Sequence, residues 1–178
     1  MPLDATGLAQ AAALAAHLRG EHFDAAISSD LLRARTTAEC IVAGRAGLQV
    51  QPDARWRELK FGAWEGLTWP EIAERFPGLA AAPNAGGAFV TPPAGESFDA
   101  LCARVAAALD DLRARFRTGQ TVVVATHAGP LHALLRVVLG AEAAKALGVR
   151  FEPATLTRLR VLERGAELVE LNVSPAPV

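Results

Sequence analysis

A histidine ends an apolar run in the segment Thr121-Val-Val-Val-Ala-Thr-His127-Ala-Gly129-Pro130. Val122–Ala125 have the continuous apolar character of a sheet strand that is buried on both faces. Gly129 permits a turn, and Pro130 suits the first position of the apolar helix that follows. His127 is therefore predicted at the carboxyl end of a strand, where α/β sheets bind ligands, and beside helix N–H groups that attract anions. We expect an anion site near His127.

A second candidate group follows the predicted strand at residues 24–28. Asp30 or Ser29 is expected to cap the next helix, which places Arg33 in its first turn. A cation at that position opposes the helix macrodipole, and a bound anion would remove the conflict. Arg33 is therefore a candidate anion ligand, whereas Arg35 is expected to be a solvated surface arginine.

A third candidate group lies in the loop Arg57-Glu-Leu-Lys-Phe-Gly-Ala-Trp-Glu-Gly66, which carries two glutamates, Glu58 and Glu65. Aromatic neighbours can desolvate a carboxyl group and raise its pKa toward the range of a general acid. Either glutamate fits that role, and an exposed loop glutamate is the commoner alternative. The spacing does not choose between them.

Hydrophobic periodicity predicts an α/β chain in which helices and strands alternate. The first helix is expected to bury Leu8, Ala12, Ala15 and Leu18, and no strand precedes it. The other predicted helices cover residues 31–42, 69–75, 97–116 and 130–139, and the predicted strands cover residues 24–28, 48–51, 122–125, 155–162 and 167–172. The last two strands flank an Arg164-Gly165 turn and predict an antiparallel hairpin. Residues 78–95 are rich in Ala, Gly and Pro and predict a surface loop or lid.

The composition fits one domain, residues 1–178, with 51% hydrophobic residues and a formal charge of −1. No dense stretch of Lys and Arg is present, so we expect no nucleic-acid or membrane partner. Cys40 and Cys102 lack the spacing of a metal site or a disulfide framework and are expected to pack as small apolar side chains. Without a membrane span or a signal peptide, the protein is expected to be soluble and cytoplasmic.

Five stretches together resemble the histidine phosphatase superfamily, the phosphoglycerate mutase-like group, over nearly the whole chain. The matching segments, in chain order, are Pro2-Leu3 with Gly7 and Gln10-Ala11, Ser29 to Ala38, Glu58 to Gly66, Gly95-Glu96-Ser97, and Thr126 to Gly129. The resemblance implies a three-layer α/β/α sandwich with a mostly parallel sheet and a C-terminal antiparallel hairpin.

By this resemblance Arg33 binds the phosphoryl group, His127 is the second histidine of the phosphate pocket and Glu58 is the proton donor. A phosphomonoester dianion needs positive charge on its non-bridging oxygens and a proton for its leaving group. Arg33, His127 and a protonated Glu58 supply both. The family needs no metal, and we expect neither a metal nor another cofactor.

The defining Arg-His-Gly motif of the family, whose histidine becomes phosphorylated, is absent from the sequence. His17 and His22 are expected on the surface, and His132, one turn into the helix after His127, ranks behind His127 as a pocket residue. We expect an N-terminally truncated chain that lacks the first central strand, through a wrongly chosen start codon or a shortened gene product. The alternative is a real short form without a nucleophile.

The resemblance implies a metal-independent phosphomonoester hydrolase for small phosphorylated substrates, with its nucleophile encoded upstream and this chain nearly inactive. A phosphoglycerate mutase-type phosphotransferase is an alternative for the full-length form. A second class is a non-catalytic protein that binds a phosphorylated ligand, and a third is an α/β domain without an active site. The sequence leaves the substrate and the oligomeric state open.

Overall fold

The computed structural model describes residues 1–80, 90–162 and 165–175. Parts of the predicted loop at 78–95 and the Arg164 half of the predicted hairpin turn lie outside these ranges. The helices are α1 (Ala5–His17), α2 (Leu32–Val42), α3 (Trp69–Arg75), α4 (Pro77–Ala80), α5 (Phe98–Arg115), α6 (Ala128–Leu139) and α7 (Ala141–Ala146). The strands are β1 (Ala25–Ser28), β2 (Val50–Pro52), β3 (Val122–Ala125), β4 (Leu156–Val161) and β5 (Ala166–Val173), and short 3₁₀ turns lie at Ala54–Trp56 and Gly62–Trp64.

Strand β1 lies at the centre of a three-stranded parallel sheet with the order β2-β1-β3. Ser28 at the end of β1 is in register with Ala125 at the end of β3. The residues that follow these two strands therefore emerge at the same edge of the sheet. Strands β4 and β5 form a separate antiparallel hairpin. The predicted α/β fold with a parallel sheet and a C-terminal hairpin is confirmed.

Helices cover both faces of the sheet and complete the three layers. Residues of α5 and α6 form one apolar cluster with Ile27 of β1, against which Val122 and Val124 of β3 pack. Residues of α1 and α2 form the other cluster, which contacts Val123 of β3 and Leu156 of β4. Since successive strand side chains point to opposite faces, β3 contributes to both clusters.

Strand β3 is less buried than its apolar run predicts. Val122, Val123 and Val124 are only partly buried, whereas Ala125 is buried. Strand β3 pairs with β1 along one edge, and no other strand in the described ranges pairs with its second edge. The prediction of a strand fully buried on both faces is wrong for this reason, because an open edge exposes part of the adjoining side chains.

The buried face of α1 is also displaced from its prediction. Leu8 is 47% exposed and Ala12 is exposed, whereas Ala11 and Leu14 are buried. Leu18, just after the helix, is buried as predicted. Alanines on several sides of this helix give it two neighbouring apolar stripes, so periodicity alone cannot select the stripe that packs.

Local signals predicted the later elements well. Glu71 accepts a hydrogen bond from the Thr68 backbone N–H at 2.7 Å, which confirms the capping interaction at the start of α3. The Ser97 hydroxyl accepts from the Ala100 N–H at 3.1 Å and caps α5. Within the described residues, no helix has both the length and the apolar character needed to cross a membrane.

Candidate active site

Adjacent strand ends bring Ser29 and His127 together. The Ser29 backbone N–H donates to the Ala125 carbonyl at 2.9 Å, which extends the β1–β3 pairing by one residue. His127 comes two residues after β3 and is the N-cap residue of α6. Its Nε2 lies 2.9 Å from the Ser29 Oγ. Both side chains are buried, with Ser29 at 0% and His127 at 9% exposure.

His127 is an electrically neutral imidazole at pH 7. Burial disfavours its protonated form, and the positive charges of Arg33 and Arg104 add to that effect, so its pKa falls from 6.5 to about 4. A neutral imidazole carries one N–H donor and one acceptor nitrogen. His127 can therefore donate one hydrogen bond to an anion without a formal charge of its own.

Arg33 lies in the first turn of α2, as predicted, and is half-buried. Its positive charge lowers the pKa of His127 and opposes the rise in the pKa of Glu58 that burial causes, so Arg33 lies within electrostatic range of both groups. Among the described residues, its guanidinium forms no ion pair with a carboxylate. The structure thus brings the three site residues predicted from the sequence into one electrostatic neighbourhood.

The predicted cap of α2 is wrong in detail. The N-cap residue is Leu31, which makes no side-chain cap. Ser29 instead accepts from the Leu31 N–H at 3.3 Å, one residue before the helix. Asp30 forms an ion pair with Arg57, whose Nε and Nη2 each lie 2.6 Å from one carboxylate oxygen of Asp30. The carboxylate is occupied by a tertiary ion pair that local spacing does not reveal.

Glu58 is the partly buried acid of the loop. Its Oε1 accepts from the Leu59 N–H at 2.7 Å and from the Gly129 N–H at 3.1 Å. Burial raises the pKa of Glu58, and this outweighs the opposing effects of the two N–H donors and of the Arg33 and Arg104 charges. A raised pKa is the property that a general acid needs near neutral pH.

Gly129 allows the close approach of Glu58 to α6. A Cβ atom at this position would collide with the Glu58 Oε1 and lie 3.4 Å from the Leu59 Cβ. The glycine was expected to permit a turn, and its observed role is to leave space for a carboxylate. Glu58 thereby reaches the N-terminus of the helix that begins next to His127.

Arg104 and Glu96 hold the loop that carries Glu58, and no sequence motif pointed to Arg104. The Arg104 Nε lies 2.7 Å from Glu96 Oε1, and its Nη2 lies 2.8 Å from Glu96 Oε2. Arg104 also donates to the carbonyls of Arg55 at 2.7 Å and Glu58 at 3.2 Å. Glu96 belongs to a motif noted in the sequence, but only the folded chain shows its partner.

The other predicted candidates have different surroundings. Glu65 is exposed, whereas Glu58 is partly buried. Arg35 is exposed and pairs with Glu39 one turn along the same helix at 3.0 Å, as expected for a surface arginine. The structure thus distinguishes Glu58 from Glu65, a choice that the sequence left open.

The remaining histidines lie outside this group. His17 and His22 are exposed, as predicted. The His132 ring packs edge-on against Phe151 with centroids 4.9 Å apart, and burial lowers its pKa. Across the ranges 1–80, 90–162 and 165–175, no group of three His, Cys, Asp or Glu side chains is arranged to hold a metal ion.

The arrangement combines a cation, a buried neutral imidazole, a desolvated carboxyl group and a helix N-terminus. These groups suit an anionic ligand that needs both charge stabilisation and a proton. Sequence reasoning missed the contributions of Ser29, Gly129 and Arg104 to this geometry. Ser29 and Gly129 lie in segments noted in the sequence, one directly after a predicted strand and the other at a predicted helix start, whereas Arg104 carried no such signal.

Known proteins resemble this chain in sequence and in fold. A bifunctional protein of Mycobacterium tuberculosis is 37% identical over 95% of this chain, which spans 46% of that relative, less than half its length. Phosphoserine phosphatase 1 of Hydrogenobacter thermophilus is 30% identical over 97% of this chain and 81% of its own length. The structure of a mycobacterial glucosyl-3-phosphoglycerate phosphatase superposes with a TM-score of 0.84 at 29% identity, covering 98% of this chain and 89% of the other. The profile of the histidine phosphatase superfamily (branch 1) matches residues 1–174, and the chain belongs to that family.

Proposed function

We propose that residues 1–178 form one domain that carries the phosphate-binding and proton-donating part of a metal-independent phosphomonoester hydrolase. The observation that carries this proposal is the common electrostatic neighbourhood of Arg33, buried His127 and desolvated Glu58. In it, Arg33 and His127 bind the non-bridging oxygens of the phosphoryl group, and Glu58 protonates the leaving oxygen.

The proposed reaction proceeds through a phosphohistidine. A histidine nitrogen attacks phosphorus, the bond from phosphorus to the ester oxygen breaks, and the Glu58 proton passes to the departing alkoxide. Water then attacks the phosphohistidine, its proton returns to the Glu58 carboxylate, and the phosphorus–nitrogen bond breaks to release inorganic phosphate. Arg33 stabilises the charge on the equatorial oxygens in both steps.

The attacking histidine of this proposal is not one of the four histidines in these residues. His127 is assigned to phosphate binding. His17 and His22 are exposed, and His132 packs against Phe151. The chain by itself is therefore expected to bind phosphate esters with little turnover. Relatives whose names specify phosphoserine and glucosyl-3-phosphoglycerate support a small phosphorylated substrate.

Phosphate binding by two arginine variants tests the proposed pocket. Arg33→Ala removes the pocket cation, whereas Arg35→Ala removes an exposed arginine of the same helix. Calorimetric titration with inorganic phosphate should show that Arg33→Ala binds phosphate about 10- to 100-fold more weakly than the parent chain. This is the affinity that charge-assisted hydrogen bonds typically contribute. Arg35→Ala should match the parent chain. Equal affinities of all three proteins would contradict the pocket.

A second candidate function is binding of a phosphorylated ligand without turnover. It is favoured by the presence of ligand-binding groups without an Arg-His-Gly motif. The two functions are separated by the genomic DNA upstream of Met1 and by the corresponding protein. An in-frame strand ending in Arg-His-Gly, with phosphatase activity in the extended form, supports the hydrolase. An extended form that binds phosphate esters and releases no phosphate supports the binding protein.

A further inference from the structure

The Ser29 hydroxyl contacts the His127 ring, and this contact has no part in the reaction proposed above. Ser29 Oγ and His127 Nε2 are 2.9 Å apart, and neither group is accessible enough to exchange this bond freely for water. The Ser29 backbone is held by the sheet through its bond to Ala125. The hydroxyl is therefore fixed in place relative to the imidazole.

The hydrogen-bond inventory of Ser29 determines the direction of this contact. A serine hydroxyl has one proton and two acceptor sites. One acceptor site receives the Leu31 N–H at 3.3 Å. Within the described residues, His127 Nε2 is the acceptor within reach of the hydroxyl proton. Donation by Ser29 uses the proton, whereas donation by His127 would leave a buried hydroxyl proton without a partner, which is energetically unfavourable.

We propose that Ser29 is a positioning residue that donates its hydroxyl proton to His127 Nε2 and thereby holds His127 as the Nδ1–H tautomer. The Nδ1 atom makes no hydrogen bond to a protein group in the described part of the chain. Its N–H is thus available to a ligand. This inference rests on the proposed function where it assigns the phosphoryl oxygen as the group that Nδ1–H meets.

The tautomer decides whether His127 helps or hinders anion binding. In the Nδ1–H tautomer, Ser29 binds Nε2 and the Nδ1–H group can donate to a phosphoryl oxygen. With the proton on Nε2, Nδ1 would present a lone pair to the anion and repel it. A serine that selects the tautomer in advance removes this cost from the binding step.

Ser28 provides a matched control. It is also fully buried and directly precedes Ser29, but its Oγ donates to the Ser29 carbonyl at 2.7 Å and does not contact the imidazole. Ser28→Ala and Ser29→Ala therefore each remove one buried hydroxyl, and only Ser29→Ala removes the bond to His127. A merely structural effect of losing a buried hydroxyl should appear in both variants.

The experiment is long-range ¹H–¹⁵N correlation of the ¹⁵N-histidine-labelled chain at pH 7, without ligand. We expect a protonated Nδ1 and an unprotonated Nε2 for His127 in the parent chain and in Ser28→Ala, and a shift toward the Nε2–H form in Ser29→Ala. Affinity for inorganic phosphate should fall about 3- to 10-fold in Ser29→Ala, the worth of one hydrogen bond. An Nε2–H form in the parent chain would overturn the proposal even without any variant.

Adding inorganic phosphate to the same samples separates this inference from the proposed function. Perturbation of the His127 Nδ1–H resonance supports both. The expected tautomer with no response to phosphate at any accessible concentration rejects the phosphate pocket and leaves the Ser29 contact standing. A response to phosphate with an Nε2–H tautomer rejects the role of Ser29 and leaves the pocket standing.

Discussion

The Gly129 N–H and the Glu58 Oε1 are joined by a 3.1 Å hydrogen bond that a side chain at position 129 would block. This bond ties the acid-bearing loop to the first turn of α6, next to His127. Gly129, which the sequence predicted only as a turn residue, therefore contributes to the candidate site by leaving room for the Glu58 carboxylate.

Gly129→Ala should displace the Glu58 carboxylate without unfolding α6. Alanine is favoured over glycine within a helix by roughly 0.5–1 kcal/mol, and the group it meets is the mobile end of a side chain. Loss of the Gly129 N–H bond should raise the pKa of Glu58 further, as measured by carboxyl ¹³C titration. Gly78→Ala, at a helical glycine with open space around it, should leave that pKa unchanged. Equal pKa values in all three proteins would argue against the contact.

Low pH should destabilise the fold through His127. The pKa of an unperturbed histidine is 6.5 and that of His127 in the folded chain is about 4, so between these values the unfolded state binds the proton more readily. Stability should therefore fall as the pH drops from about 6.5 to 4 and level off below, by about 3 kcal/mol in total from this group. Urea unfolding across this range should show a shallower pH dependence in His127→Asn. Exposed His22→Asn should retain the dependence of the parent chain.

Arg104→Lys should weaken the support of the Glu58 loop although it preserves the charge. Lysine cannot reproduce the two-pronged contact with Glu96 together with the bonds to two backbone carbonyls. We expect a loss of about 2 kcal/mol in the free energy of unfolding, measured by urea titration. Arg35→Lys, in an exposed ion pair, should cost less than about 0.5 kcal/mol. If both variants lose a similar free energy of unfolding, the Arg104 contacts stabilise the fold no more than an exposed ion pair does.

The second edge of β3 should make the isolated chain marginally stable. No described strand pairs with that edge, and β4 pairs only with β5 among the described strands. Unpaired strand edges promote association with other chains. We expect a free energy of unfolding below about 5 kcal/mol and light scattering that rises with protein concentration. A sharp, reversible thermal transition of a monomer would contradict this expectation.

The sequence predicted elements well where a local signal encodes them. The capping interaction at Thr68 and Glu71 and the apolar period from Phe98 depend on neighbouring residues, and the structure has both helices. The α1 face and the α2 cap were predicted wrongly because distant contacts decide them. Leu14 packs with Ile41 of α2, and Asp30 is held by Arg57.

By itself, the sequence singled out Arg33, His127 and the glutamates Glu58 and Glu65 as candidates, and it predicted that Arg33 and His127 lie at helix starts that follow strands. Those features follow from strand and helix periods, which operate over a few residues. The tertiary structure alone decided that Glu58 is partly buried while Glu65 is exposed, that the Gly129 N–H donates to the Glu58 carboxylate, and that Ser29 contacts His127. Each of these depends on burial and on contacts between distant residues, 71 positions apart for Gly129 and Glu58 and 98 for His127 and Ser29. Local patterns cannot encode such contacts, because desolvation and hydrogen-bond geometry exist only once the layers have packed.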